Sequence, residues 1–187
     1  MTSQHRGVIY EMITSQTNIS NSIIEEAPQQ FEKPRECELF KKASKELSKY
    51  PQLNQDQINA ISQSIIAKSY NLILGMPGTG KTYTIAVMIK ILTDIGQKVL
   101  LSSYTHLALD NILKKFIKLF PRKRKIIVRV ARNQYVVNES LRNLVYKKSY
   151  MKSTGQIDKF LADKMIYAVT CLSANNSIIC FFFLFFT

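Results

Sequence analysis

Eight residues restrict this chain more than any others: Gly75-Met76-Pro77-Gly78-Thr79-Gly80-Lys81-Thr82. They fit G-x-x-x-x-G-K-[ST], the Walker A pattern. The apolar run at 70–74 stops at Gly75 and predicts a buried strand. Residues 81–95 carry Ile85, Met88, Ile89 and Leu92 at helical spacing and predict an inward helix face, closed by Gly96. Glycines let a backbone wrap around a phosphate chain with its N–H groups pointing inward. Lys81 can then reach the β- and γ-phosphates, the Thr82 hydroxyl can ligate magnesium, and the helix N-terminus adds its positive end. At ordinary glycine usage, a chance match in so short a chain has odds of roughly below one in a hundred. Residues Gly75 to Tyr83 are therefore expected to bind a nucleoside triphosphate with Mg2+.

The flanking pattern extends the unit. Val99 lies in the apolar run 98–104, a second buried strand. Residues 107–120 then place Leu109, Ile112, Leu113, Phe116 and Ile117 on one helical side, with Lys114, Lys115 and Lys118 off it, until Pro121. Residues 126–130 and 165–169 are further strand candidates, joined by a basic stretch expected to be helical. Upstream, 36–49 is helical with Leu39, Phe40, Ala43 and Leu47. A helix from Asn54 carries Ile58, Ile61 and Ile65. Strand, helix, strand within about 30 residues predicts a βαβ unit, hence an α/β fold with a parallel sheet covered by helices.

The charge balance narrows the partners. The 187 residues hold 26 Lys and Arg against 13 Asp and Glu, a formal net charge of +13. Thirteen of those cations fall between Lys114 and Lys152, where Glu139 is the only acid. Such a field favours a polyanion, nucleic acid or an anionic membrane surface, with a solvated basic face as the plain alternative. Three widely spaced cysteines, Cys37, Cys171 and Cys180, make neither a metal-ligand pair nor an even disulfide set, so a reducing compartment is expected. Ile178 to Phe186 are nine apolar residues in a row. A membrane span needs about 20, so no membrane partner is expected.

Leu53-Asn54-x-x-Gln57 opens a helix eighteen residues before Gly75, and residues 100–113 follow the second strand at once. Together with the phosphate loop this resembles the superfamily one helicases of the group that includes the nonsense-mediated-decay RNA helicases. Within that group, residues 72–84, 100–113 and 168–173 are most similar to the helicase half of the eukaryotic DNA replication helicase/nuclease family. The likeness covers about Leu53 to Ile179. It implies a phosphate-loop, RecA-like motor domain that uses ATP and Mg2+ and binds single-stranded DNA, with RNA as the sibling branch's alternative. It also implies residence in the nucleus, with mitochondrion or cytoplasm as alternatives. The resemblance makes Gln57 the adenine reader, although Asn54 with Gln57 is equally a capping-box pattern. It makes Ser103, Thr105, His106 and Thr170 contacts to single-strand phosphates. For His106 a helix start, and for Thr170 a buried strand end, are the structural alternatives. Residues 121–125, Pro-Arg-Lys-Arg-Lys, suit phosphate tracking, nuclear import or a solvated turn.

A family helicase also needs an acidic pair after a further buried strand, one carboxylate for the magnesium shell and one to orient water. Asp163 is the last acid here. Asp110 falls inside a predicted helix, and Asp158 and Asp163 precede their strand. The expectation is thus an incomplete first motor domain: residues 1–50 linker and amino-terminal helix, 51–179 partial motor domain, 180–187 a Phe-rich tail. Such a chain binds ATP and single strands with little turnover of its own. The alternative in another class is a non-catalytic, nucleotide-dependent nucleic-acid-binding module.

Overall fold

The computed structural model describes residues 29–68, 70–131, 133–146 and 159–171. The amino-terminal linker and the Phe-rich tail lie outside the described residues. The chain divides into two compact units, 1–45 with 54–74, and 46–53 with 75–187.

The first unit holds helix α1 (Glu38–Leu47, whose last two residues count with the second unit) and helix α2 (Gln55–Ile66). Cys37, Ala43 and Ile61 are its buried apolar residues. Asn54 caps α2. Its Oδ1 accepts from Gln57 N at 2.8 Å, and Gln57 Oε1 accepts from Asn54 N at 3.1 Å. Both halves of the capping box are therefore made. A bridge between Phe31 and Ala67 closes the end of α2.

The strand expected over 70–74 does not form. These residues pair with no strand among the described residues; Leu72 and Ile73 are exposed, and Leu74 is 95% exposed. An apolar run states a need for burial, and a parallel strand exists only where a neighbour supplies the ladder.

In the second unit, helix α3 (Lys81–Asp94) leads to strand β1 (Val99–Ser103), helix α4 (His106–Leu119), strand β2 (Ile127–Arg129) and strand β3 (Ile166–Thr170). The sheet runs β1-β3-β2, all parallel, with Val99 and Ile127 both level with Ile166. As central strand, β3 is buried along its whole length, which is why Ile166-Tyr167-Ala168-Val169 reads as an unbroken apolar run.

Among the described residues both faces of the sheet carry buried apolar clusters. Ile127, Ile166 and Ala168 pack with Ala86 and Ile89 of α3 and with Leu109, Leu113 and Phe116 of α4. On the other face Val128 and Tyr167 pack with Tyr146 and Leu161. Each buried Val, Leu, Ile or Phe among them contributes about 1.5–3 kcal/mol of transfer free energy. Helix α4 follows its predicted stripe, with Ile112 and Ile117 partly buried beside those three.

Helix α3 does not follow its predicted stripe. Thr84, Ala86, Val87, Ile89, Ile91 and Thr93 are buried, whereas Ile85, Met88 and Leu92 are only partly so. A helix buried on more than one side has no single stripe to read. Gly96 closes it at φ 87°, as expected. Between β2 and β3, where a helical stretch is expected, the described residues form tight 3-10 turns at Gln134–Val136 and Glu139–Leu144; residues 147–158 lie outside the described set.

Candidate functional site

The phosphate loop is built around two left-handed glycines. Gly78 and Gly80 sit at φ 81° and φ 79°, a region that a side chain strains to enter. Thr79 N and Oγ1 both donate to Met76 O, which closes the turn. Gly80 is the N-cap of α3, and its carbonyl accepts from Tyr83 N at 2.9 Å and Thr84 N at 3.0 Å. The N–H groups of Lys81 and Thr82, ahead of these two, have no carbonyl a turn back within the helix, and the first turn carries no acid.

Lys81 closes the loop. Its Nζ donates to Gly75 O at 2.8 Å and Met76 O at 2.6 Å. A Cβ at Gly75 would stand 2.6 Å from Lys81 Cδ, so a side chain there would force the lysine out of this position. Thr82 is exposed on the first turn. Glycine cradle, ammonium, hydroxyl and helix end together form a donor set that fits a triphosphate with magnesium. Tyr83, placed with the loop by sequence, turns elsewhere. Its hydroxyl accepts from Gln52 Nε2 at 2.6 Å, and Lys115 Nζ lies 5.6 Å from its ring centre.

The other candidates gather at the carboxyl ends of the strands. Ser103 and Thr170 are level in the β1–β3 register. Thr105 is the N-cap of α4, its Oγ1 accepting from Ala108 N at 3.2 Å, and His106 opens that helix. Thr170 is buried. Gln57 belongs to the first unit and uses its amide oxygen in the α2 cap.

Beside His106 lies a network that sequence reasoning missed. Arg129 is fully buried, and its Nε donates to Asp110 Oδ1 at 3.2 Å. Its Nη1 donates to Val130 O at 2.8 Å and Ala168 O at 3.3 Å, and its Nη2 lies 2.8 Å from His106 Nδ1. Asp110 Oδ2 accepts from Asn138 N at 2.7 Å. Burial pulls the guanidinium down from its ordinary range while Asp110 holds it up. Burial, and then Arg129, also lower His106, against the opposing pull of Asp110. Asp110 is thus inside a helix, as expected, with both carboxylate oxygens engaged. The only signal available in the sequence was a charged residue interrupting each of two apolar runs.

The basic run at 121–125 is partly structural. Lys123 pairs with Asp94 at 2.7 Å, and Arg124 donates to Ser140 O and Asn143 Oδ1. Arg122 and Lys125 are exposed. Among the described residues no cluster of three or more His, Cys, Asp or Glu could hold a metal, and no helix is long and apolar enough to cross a membrane.

A parallel sheet with helices and a Walker A loop opening α3 define a phosphate-loop nucleotide-binding domain. A family model described as an AAA domain matches residues 52–179, and the chain belongs to that family. The chain is also similar to proteins named DNA replication ATP-dependent helicase/nuclease. It is 41% identical to that of Homo sapiens over 130 residues, which is 67% of this chain and 12% of that protein. With that of Saccharomyces cerevisiae it is 41% identical over 130 residues, 70% of this chain and 8% of the relative. With that of Schizosaccharomyces pombe it is 57% identical over 63 residues, 34% of this chain and 4% of the relative. The chain therefore spans about a tenth of the length of the human and budding-yeast relatives, and the expected resemblance to helicase/nucleases holds over two thirds of the chain.

Proposed function

We propose that residues 51–179 form part of the first motor domain of an ATP-dependent DNA helicase of the replication helicase/nuclease type, and that this part binds ATP·Mg2+ and single-stranded DNA. The observation that carries the reading is the loop itself: left-handed Gly78 and Gly80, and Gly75 pressed against a lysine whose ammonium closes the turn. The identity to the relatives named above supports the choice of activity.

Lys81, Gly78, Thr79 and Gly80 would hold the phosphates, Thr82 the magnesium, and Gln57 the adenine edge. Gly75, Met76 and Pro77 would shape the cradle, and Tyr83 would sit at its flank. The two carbonyls now bonded to Lys81 are neutral acceptors, and an anionic phosphate oxygen binds an ammonium more strongly. Nucleotide would therefore draw Lys81 from Gly75 and Met76. Bound magnesium would supply charge neutralisation for the phosphates. Ser103, Thr105, His106 and Thr170 would meet the backbone of a single strand, with the basic 114–152 segment attracting it.

Turnover by the chain alone is expected to be slight. Among the described residues β1 ends in Ser103, β2 in Arg129 and β3 in Thr170, so no described strand ends in a carboxylate, and Asp110 is committed to Arg129 and Asn138. The nucleus is the compartment that fits a replication activity. Competition between DNA and RNA single strands for the purified chain, with and without ATP·Mg2+, tests the substrate. DNA preference supports the helicase/nuclease reading, and RNA preference transfers the site to the sibling branch. Rapid ATP hydrolysis by the chain would overturn the claim of low turnover.

A further inference from the structure

Arginine donates five N–H bonds and accepts none. The 2.8 Å contact between Arg129 Nη2 and His106 Nδ1 therefore has one polarity: Nδ1 accepts. An imidazole whose Nδ1 accepts is neutral and carries its proton on Nε2. Arg129 cannot move aside at little cost, because it is fully buried and three of its other four N–H groups are tied to Asp110, Val130 O and Ala168 O. Asp110 is held in turn by Asn138 N. These contacts join β2, β3, α4 and the turn at 138 to one ring. The charged groups in contact with that ring's network are Arg129 from β2 and Asp110 from the ring's own helix; a guanidinium against Nδ1 opposes protonation there. Half-buried at the start of α4, His106 has one remaining polar group, the Nε2–H.

We propose that Arg129 is a positioning residue that fixes His106 as a neutral imidazole with its proton on Nε2, so that His106 meets a nucleic-acid phosphate as an oriented hydrogen-bond donor and not as a cation. The donor role rests on the single-strand reading above; the tautomer does not. The arrangement gives the strand contact a fixed geometry and keeps it unchanged through the ordinary histidine range of about pH 6.5.

The sequence makes the test simple, because His5 is the only other histidine. Nitrogen-15 correlation spectra of the full chain carrying His5→Asn would report His106 alone. The expected result at about pH 6 is an unprotonated Nδ1 and a protonated Nε2. Two protonated nitrogens, or a protonated Nδ1, would overturn the proposal. Arg129→Met should release the ring to titrate; if that variant does not fold, the spectrum of the parent chain still decides.

Binding of an oligothymidylate single strand then tests the donor. His106→Asn keeps an acceptor for Arg129 and removes the Nε2–H, so affinity should fall about tenfold with the fold intact. Affinity of the parent should also lack the rise that imidazolium formation would bring between about pH 8 and pH 6. Equal binding by His106→Asn, with the expected tautomer present, would overturn the donor role. Failure of the parent chain to bind any single strand would instead overturn the single-strand reading, and the tautomer would stand.

Discussion

Asp110 and Arg129 stand nineteen residues apart in the chain and form a buried ion pair in the fold. Removing one partner of such a pair leaves the other charged and unsatisfied, which is why the cost is high. Asp110→Asn should destabilise the chain by about 3–5 kcal/mol in a urea titration. Replacing both residues, Asp110→Leu with Arg129→Met, should cost less than that single change, because no buried charge is left over. An equal or larger loss in the double variant would contradict the pairing. At this scale the sequence was uneven evidence. The phosphate loop was legible because its chemistry is contiguous: eight residues contain the glycines, the ammonium and the hydroxyl. Thr105 and Gln57 were named for ligands, and the fold gives both a capping task that local spacing had already allowed for Gln57. Arg129 was illegible because nothing local pairs it with His106.

Helix ends show how element-level rules translate into energies. Asn54→Ala removes the Asn54 Oδ1 acceptor for Gln57 N in the α2 capping box and should lower stability by about 1 kcal/mol. An unchanged urea midpoint would mean that α2 does not depend on its cap. At the other end of α3, Asp94 pairs with Lys90 and with Lys123, which lies in the turn after α4. Burial works to raise its carboxyl, and the two ammonium groups outweigh burial, so the net direction is down. A carboxyl lowered in the fold stabilises it above the unfolded value, about 3.9, and loses that contribution as pH falls through the folded value. Asp94→Asn should therefore be less stable than the parent at neutral pH, and the gap should close below the ordinary carboxylate range. A gap that stayed constant on acidification would place the effect in packing.

Elements were legible in proportion to how one-sided their burial is. The α4 stripe was read correctly, since its apolar residues face one core. The α3 stripe was not, since that helix is buried on several sides. The run at 70–74 was apolar enough to be a strand, but a ladder partner is a property of the fold and not of the run.

Across the molecule, the parallel α/β architecture followed from alternating strand and helix patterns, and the family match over residues 52–179 agrees with it. The basic excess between Lys114 and Lys152 is spent partly on structure. Lys123, Arg124 and Arg129 hold α3, the turns after β2 and α4 in place, and Lys115 lies over Tyr83. Arg122 and Lys125 remain exposed. Composition alone cannot separate cations that fix a fold from cations that face a partner; only the contacts do.

Nucleotide binding is the central claim, and its most direct test is isothermal titration of the full chain with a non-hydrolysable ATP analogue and Mg2+, alongside Lys81→Ala. The expected result is saturable binding by the parent chain, weakened about tenfold to a hundredfold in the variant, the loss of a charge-assisted hydrogen bond to phosphate. No binding by the parent, or equal binding by both, would contradict the phosphate-loop assignment.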